Sequence, residues 1–462
     1  MGRMTTQRIP RVAAAPPRPR LGWADLFGPL AIATVVVAVF IWLFQEGLAS
    51  LTTVDTGLGS LASLTGLLAS DLMLLQVVML ARIPQVELAW GHDLLARRHK
   101  LLAYWSFWLM MAHILLFTAQ RLGRVGGWDS AVMYELYIHE SWLLAATVGT
   151  IMLIGVVITS IRAARRRLRY ESWHLLHLYS YLGLALALPH QIFDGADFHW
   201  TFSIVYWWTL YAVGLGLIIW CRVGIPVWRS LRHRIHVAGV SLEAPGVVSV
   251  HMRGRELSKL RTKSGQFFIW RFRDGPGWTR GTPYTISAAP DDTNLRVTIK
   301  EAGPKTARAK QLRPGTRVYI EGPYGSMTAE RRSHPRMLVV AAGVGITPIR
   351  ALLEDTPYVP GETVLLYRYT DHHDAVLAGE IDELARRRGV EVRHLVGPRR
   401  HDGSWLPACA GSDADALRQL VPDVADCDIF VCGPTPWMKA FERAAVGAGA
   451  SRKQIHTEDF AW

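Results

Sequence analysis

Four histidines carry the first chemical signal in this 462-residue chain. His99 and His113 lie in one apolar stretch, His177 and His190 in another. An ionisable side chain inside a bilayer-spanning segment is costly, and such residues default to function. On an ideal helix His99 and His113 stand about 21 Å apart along the axis and about 40° apart in phase, so they share a face near opposite edges of a hydrocarbon core. His177 and His190 have a similar spacing in depth but differ by about 140° in phase. Pro189 precedes His190 and can shift the register; His174 is the alternative to His177. Paired imidazoles across a gap between helices are axial ligands for haem iron. Ala103 and Ser106, on about the same face as His99 and His113, leave room for a porphyrin. One lone histidine would read as a hydrogen-bonded core residue, whereas four at matched depth on two spans favour two b-type haems.

The elements that must hold these rings are apolar stretches near 24–45, 60–81, 100–119, 140–161, 173–192 and 202–222. Each approaches the length of about 20 residues that a spanning helix needs. Half of the chain is hydrophobic and 18 residues are Trp, a residue that collects at bilayer interfaces. The formal net charge of +13 falls in clusters between the spans: Arg82, Arg97, Arg98 and Lys100; Arg162, Arg165, Arg166, Arg167 and Arg169; Arg222, Arg229, Arg232 and Arg234. The alternate loops hold only Arg121 and Arg124. This asymmetry is that of membrane topology rather than of nucleic-acid binding, and it predicts a multi-pass protein of the plasma (inner) membrane with both termini cytoplasmic. Residues 1–22, rich in Arg, Pro and Ala, read as a disordered basic tail rather than a signal peptide. Cys221, Cys409, Cys427 and Cys432 form no CxxC pair, so neither a disulfide nor a zinc framework is expected, and the non-membrane half fits a reducing compartment.

From about residue 233 the texture changes to short alternating strands, Val247–Met252, Phe267–Arg271, Leu295–Lys300 and Arg317–Glu321, as in a small antiparallel β-barrel. From about 335, strands Met337–Ala342, Val364–Tyr369, Glu391–Val396 and Asp428–Cys432 alternate with helical stretches, the pattern of a parallel α/β sheet. The expected fold is an all-α six-helix transmembrane bundle over 23–232, an antiparallel β-barrel over 233–332 and a Rossmann-like α/β domain over 333–462.

With the histidine spacing, three groups of residues make the chain similar to the ferric reductase and NADPH oxidase superfamily over roughly residues 24–462. Gly265-Gln266-Phe267 followed by Pro283-Tyr284-Thr285-Ile286-Ser287 resembles the flavin signature of ferredoxin-reductase-type barrels. Val297-Thr298-Ile299-Lys300 with Gly303 to Thr306, and Gly322-Pro323-Tyr324-Gly325, resemble its phosphate-contacting strand and turn and its barrel-closing motif. Gly343-Val344-Gly345-Ile346-Thr347-Pro348 follows a buried strand and opens a helix, where glycines and free N–H groups receive a pyrophosphate.

The resemblance implies FAD bound by Tyr284, Thr285, Ser287, Lys300 and Thr306, with Tyr284 packing on the flavin and the Thr285 hydroxyl bonding its ring system. The family's basic residue two places before the aromatic is Thr282 here, with Arg280 two places further back. It implies a nicotinamide cofactor at Gly343, Gly345, Thr347 and Pro348, flanked by Cys432, Gly433 and Pro434. It also implies a terminal aromatic stacked on the flavin, Phe460 with Trp462 as the alternative; Cys432 and Phe460 are the candidate catalytic residues. Arg368, ending the second strand of this domain, could clasp a 2′-phosphate, which favours NADPH over NADH. The activity implied is electron transfer from cytoplasmic NADPH through FAD and two haems, held by His99, His113, His177 and His190, to an outer acceptor. A ferric chelate and dioxygen are the leading acceptors, with a quinone also considered. The alternatives are a haem-free, membrane-anchored NAD(P)H flavin or quinone reductase and a non-enzymatic haem subunit.

Overall fold

The computed structural model describes residues 23–165, 167–168, 170–193, 195, 200–398, 400, 402–407 and 411–458. The chain forms two compact units, one chiefly Leu21–Ile83 and Asp93–Trp220, the other chiefly Pro84–His92 and Cys221–Ala461.

The first unit is helical: α1 Trp23–Phe44, α2 Val54–Met79, α3 His92–Arg124, α4 Ser141–Ser160, α5 Tyr170–Phe193 and α6 Thr201–Ile219. Long apolar runs satisfy their backbone internally as helix and leave side chains such as Ile32, Leu115, Ile151 and Val205 exposed on the surface, as a lipid-facing protein requires. Thr53 starts α2 with a reciprocal capping box to Thr56. Five helices among the described residues are long and apolar enough to cross a membrane, where six spans were expected. The exception is α5, which has 24 residues but carries Glu171, His174, His177 and His190, whose polarity lowers its hydropathy. Glycines set its approach to α4: a Cβ on Gly149 would lie 2.5 Å from the carbonyl oxygen of Gly183, and one on Gly183 3.1 Å from that of Gly149. Small residues facing each other in this way let two membrane helices pack backbone to backbone.

In the second unit a short helix, α7 Ile225–His233, packs on β6 Val318–Tyr324, where Ser230 Oγ accepts from Ile320 N at 3.1 Å. The other early strands are β1 His236–Ala244, β2 Val247–Arg253, β3 Phe267–Phe272, β4 Thr282–Thr285 and β5 Asn294–Lys300. They form two antiparallel three-stranded sheets, ordered β1-β2-β5 and β4-β3-β6, around a core that includes Phe268, Trp270, Ile286 and Val297. The sheet edges meet at the bridges His236–Arg317 and Ile286–Val297 and through further backbone hydrogen bonds, Val237 N to Thr316 O and Val318 N to Ile235 O at 2.9 Å each and Ser287 N to Arg296 O at 2.8 Å. The expected antiparallel β-barrel is thus seen as two sheets joined at these edges by a few backbone hydrogen bonds.

Strands β7 Arg336–Ala342, β8 Thr363–Tyr369, β9 Glu391–Val396, β10 Cys427–Cys432 and β11 Ile455–Thr457 form a second layer, a five-stranded parallel sheet ordered β11-β10-β7-β8-β9. The runs of Val, Ile, Leu and Ala in β7, β8 and β10 are buried on both faces, as the central strands of a helix-covered parallel sheet must be. Helices α8 Ile346–Asp355, α9 Ala378–Arg388, α10 Asp413–Leu420 and α11 Thr435–Gly447 complete it. The chain leaves β7 toward β8 on one side and later returns as β10 on the other, so the order reverses between β7 and β10. In open α/β sheets ligands bind at the carboxyl ends of the strands at such a switch.

Candidate cofactor sites

The helical unit brings the four histidines together as two pairs. The rings of His99 and His177 have centroids 6.1 Å apart, and those of His113 and His190 6.4 Å. Two imidazoles on one metal at about 2 Å each, with ring centres roughly 1 Å behind the bonding nitrogens, stand on the order of 6 Å apart. The ring opposite His99 is that of His177, and the ideal-helix phase mismatch between His177 and His190 does not prevent both pairs forming, since Pro189 lies inside α5.

The second nitrogen of each ring is anchored. His113 Nδ1 donates to the carbonyl oxygen of Ala62 at 2.8 Å and His99 Nδ1 to that of Gln76 at 3.1 Å, both on α2. His190 Nδ1 donates to the Ala187 carbonyl, and His177 Nδ1 lies 3.4 Å from Ser160 Oγ. A carbonyl oxygen only accepts, so in His99, His113 and His190 the proton sits on Nδ1 and Nε2 presents its lone pair to the gap. Metal-bound histidines are typically oriented by a partner of this kind. Gly66 makes room for one ring: a Cβ there would stand 2.7 Å from His113 Nδ1. Ser106 is buried and accepts from Gln76 Nε2 at 3.3 Å. Among the described residues no three His, Cys, Asp or Glu side chains gather as a metal site; a bis-histidine haem needs only two protein ligands, and each pair fits that group.

In the flavin signature Tyr284 pairs with Phe268 across β3 and β4, and its carbonyl accepts from Trp270 Nε1 at 2.8 Å. Burial pushes its phenol up to about 12 and keeps it neutral. Tyr284 lines a cavity of about 180 Å³ with Trp270, Trp278, Thr282, Arg280 and Arg308, so two arginines bring positive charge to it. Thr285 is buried and its hydroxyl has no partner among the described residues, an orphan polar atom that fits a bond to the flavin ring. Ser287 is otherwise engaged: its hydroxyl accepts from Arg296 Nε at 3.1 Å and from Thr298 Oγ1 at 2.8 Å. Thr306 Oγ1 closes its own turn, accepting from the N–H groups of Ala302 and Gly303 at 2.7 and 3.1 Å. Lys300 ends β5 with its side chain exposed. Phe460 and Trp462 lie outside the described residues, but Glu458, two residues before Phe460, comes against the turn after β6. A Cβ on Gly325 would lie 2.5 Å from its Oε1.

At the switch point Gly343 takes a φ of +55°, open to glycine, and leads into α8. Gly345 passes so close to the end of β10 that a Cβ would lie 2.3 Å from the carbonyl oxygen of Cys432 and 2.9 Å from Gly433 N. A Cβ on Gly433 would meet the Trp437 ring at 2.8 Å. Thr347 and Pro348 form the buried first turn of α8, Pro434 caps α11, and Cys432 is wholly buried. Two helix N-termini thus open beside the carboxyl ends of β7 and β10, an arrangement that suits a pyrophosphate. Arg368 lies near the end of β8, and its Nη2 donates to the Pro398 carbonyl at 3.0 Å, holding the loop after β9.

Sequence reasoning missed Arg296, a buried charge inside an apolar strand, and Gly66, whose role depends on another helix. Arg296 alone had a visible signal, a charge at an inward position of an otherwise apolar strand.

Residues 65–188 match the family model described as ferric reductase like transmembrane component, and residues 339–443 that of the oxidoreductase NAD-binding domain. The ferredoxin reductase component of 3-ketosteroid-9-alpha-monooxygenase from Mycolicibacterium smegmatis is 29% identical over 226 residues, which is 47% of this chain and 62% of that protein. The stachydrine N-demethylase reductase subunit of Rhizobium meliloti is 27% identical over 226 residues, 47% of this chain and 64% of its own. This chain thus spans less than two thirds of the length of either relative. Among solved structures, the FAD/NAD-binding domain of the nitric oxide dioxygenase of Vibrio cholerae is 19% identical, with a TM-score of 0.41, covering 49% of this chain and 98% of that one.

The chain therefore carries a ferric-reductase-like transmembrane component and an oxidoreductase NAD-binding domain, with several helices long and apolar enough to cross a membrane. More particularly, it joins a ferric-reductase-like transmembrane component to a ferredoxin-reductase-type module, the combination that the sequence resemblance implied.

Proposed function

We propose that this protein moves electrons from cytoplasmic NAD(P)H, through FAD and two bis-histidine haems, to an acceptor on the outer face of the plasma (inner) membrane. The observation that carries this reading is the double histidine pair, with centroids 6.1 and 6.4 Å apart. Residues 23–232 act as a six-span haem domain, 233–332 as the FAD barrel and 333–462 as the nicotinamide domain, with 1–22 a basic tail. The positive loops support a topology with both termini in the cytoplasm. A flavin takes two electrons together and releases them singly, while haem iron takes one at a time, so the bound groups carry the redox chemistry. The protein's part is placement. His99 with His177 and His113 with His190 hold the haems, and the Ala62, Gln76 and Ala187 carbonyls fix three of the rings. Tyr284 and Thr285 hold the flavin ring, with Arg280 near its phosphates, and Phe460 covers the flavin. The glycine turn at Gly343–Gly345 and the first turn of α8 take the dinucleotide, with Cys432, Gly433 and Pro434 beside the nicotinamide. A ferric chelate or dioxygen is the acceptor.

The test is a visible spectrum of the purified full chain, expressed with haem supplied, after anaerobic addition of FAD and NADH or NADPH. Sharp low-spin haem bands that appear with the nucleotide support the whole path. A folded protein that reduces a dye from NAD(P)H but shows no haem bands refutes it and leaves the anchored flavin or quinone reductase.

A further inference from the structure

A ring of ion pairs and hydrogen bonds joins the flavin sheets to the nicotinamide sheet. Its hub is Glu380, in the first turn of α9. On the flavin side Arg296 of β5 forks onto it, Nη1 to Oε1 at 2.6 Å and Nη2 to Oε2 at 2.9 Å. The same guanidinium reaches back to the flavin signature, with Nη2 donating to the Ser287 carbonyl at 2.8 Å and Nε to its hydroxyl at 3.1 Å. On the nicotinamide side Arg350 Nε, from α8, stands 2.7 Å from Glu380 Oε2. Arg350 also pairs with Glu354 one turn on, and Glu354 Oε2 accepts from the backbone N–H of Ala289 at 2.5 Å. The circuit Ser287–Arg296–Glu380–Arg350–Glu354–Ala289 therefore closes on itself. It starts and ends on the segment that follows Tyr284 and Thr285, and it passes through the helix whose first turn follows the glycine turn.

Both arginines are only 9% exposed. Charges taken so far from water contribute little net stability, and replacing them with apolar side chains often stabilises a fold. What a two-armed carboxylate between two guanidiniums does provide is a fixed distance and orientation. Burial raises the Glu380 carboxyl, but Arg296 and Arg350 bring it below the usual carboxylate range, so it stays ionised at neutral pH.

We propose that Glu380 is a positioning residue for hydride transfer, setting where α8 and its dinucleotide meet the flavin strand. This rests on the reading above that the module binds both cofactors. In the step it serves, NAD(P)H gives up one hydrogen with two electrons, becoming NAD(P)⁺, and the flavin receives them. Such transfer is steep in geometry: a misplacement of about 1 Å can cost on the order of a hundredfold in rate.

The experiment is anaerobic stopped-flow on the full chain loaded with FAD, recording flavin bleaching by NADH and by NADH deuterated at the transferred position. Glu380→Gln is isosteric but cannot pair ionically with both arginines. The expected result is a ten- to hundredfold fall in the limiting bleaching rate with a full isotope effect, while FAD content and the NADH concentration for half-maximal rate change less than about threefold. Glu380→Asp should recover part of the rate. Arg296→Lys, which keeps the charge but loses the fork, should reproduce the fall. A Glu380→Gln protein that bleaches at the wild-type limiting rate, even with a lower melting temperature, overturns the proposal and leaves the ring a structural tie. A fall that tracks lost FAD or weakened NADH binding overturns it as well. Should the wild-type flavin not be reduced by NADH or NADPH at all, the parent reading fails instead.

Discussion

Gly66→Ala tests whether α2 buttresses the ring of His113. The added Cβ would stand 2.7 Å from Nδ1 and 3.0 Å from Cε1. Ordinary contact begins near 3.5 Å, so the imidazole must move by roughly 0.8 Å or the helices must part. Moving the ring weakens the 2.8 Å bond from Nδ1 to the Ala62 carbonyl, which lies one turn before Gly66 on the same helix. A lost hydrogen bond costs about 1 kcal/mol and overpacking about 1–3 kcal/mol. Both penalties fall on the His113–His190 pair and neither on His99–His177, whose anchor is Gln76. The expected protein keeps one low-spin haem and loses the other or turns it high-spin. Pyridine haemochromogen then gives about half the wild-type haem per protein, and a redox titration shows one step instead of two. Gly123→Ala is the control, since a Cβ there has nothing within 4 Å. If Gly66→Ala retained both haems with unchanged spectra and potentials, the placement of His113 against α2 would be wrong.

Other perturbations separate the parts of the assembly. His99→Ala with His177→Ala should remove one haem and leave the other, and His113→Ala with His190→Ala should do the reverse, read from the same titration. Thr285→Val should weaken FAD binding by about tenfold without lowering the apo-protein's melting temperature, because the buried hydroxyl it removes has no partner among the described residues. Gly345→Ala puts a Cβ 2.3 Å from the Cys432 carbonyl oxygen, so it should raise the KM for NAD(P)H and destabilise the fold by about 2 kcal/mol or more. Asp428, wholly buried, gives a pH signature: burial raises its carboxyl, but the His456 ring 3.7 Å away and hydrogen bonds from the N–H groups of His334 and Ser333 outweigh that and hold it at about 2. A depressed carboxylate adds stability that is present above its unfolded value of 3.8 and lost as pH falls toward 2, on the order of 2 kcal/mol here. Urea unfolding of the full chain in detergent at pH 5 and pH 3 should show about half of that loss, roughly 1 kcal/mol, and Asp428→Asn should flatten it.

The split between what the sequence announced and what it withheld follows the range of the interactions. The histidine spacing was legible because depth in a bilayer is counted along one helix, fourteen residues from His99 to His113. The glycine turn at 343–345 was legible because its φ and its helix start are local. Which second nitrogen each ring uses was not, since the Ala62 and Gln76 carbonyls are far from their histidines in sequence and become partners only when α2 packs on α3. Phase on an ideal helix even argued against His177 and His190 acting together, an objection that treats α5 as straight despite Pro189. The partners of Arg368 were hidden for the complementary reason: the strand pattern shows a guanidinium at a strand end but not the carbonyls of the loop after β9 that accept from it. The hydroxyls of the family signature sort by the same criterion. Thr285 keeps its hydroxyl unspent, whereas Ser287 and Thr306 spend theirs on protein partners. An unspent buried polar group is therefore the sharper sign of a ligand in this chain than a match to a motif alone, and the orphan Thr285 hydroxyl is the place where the two signs coincide.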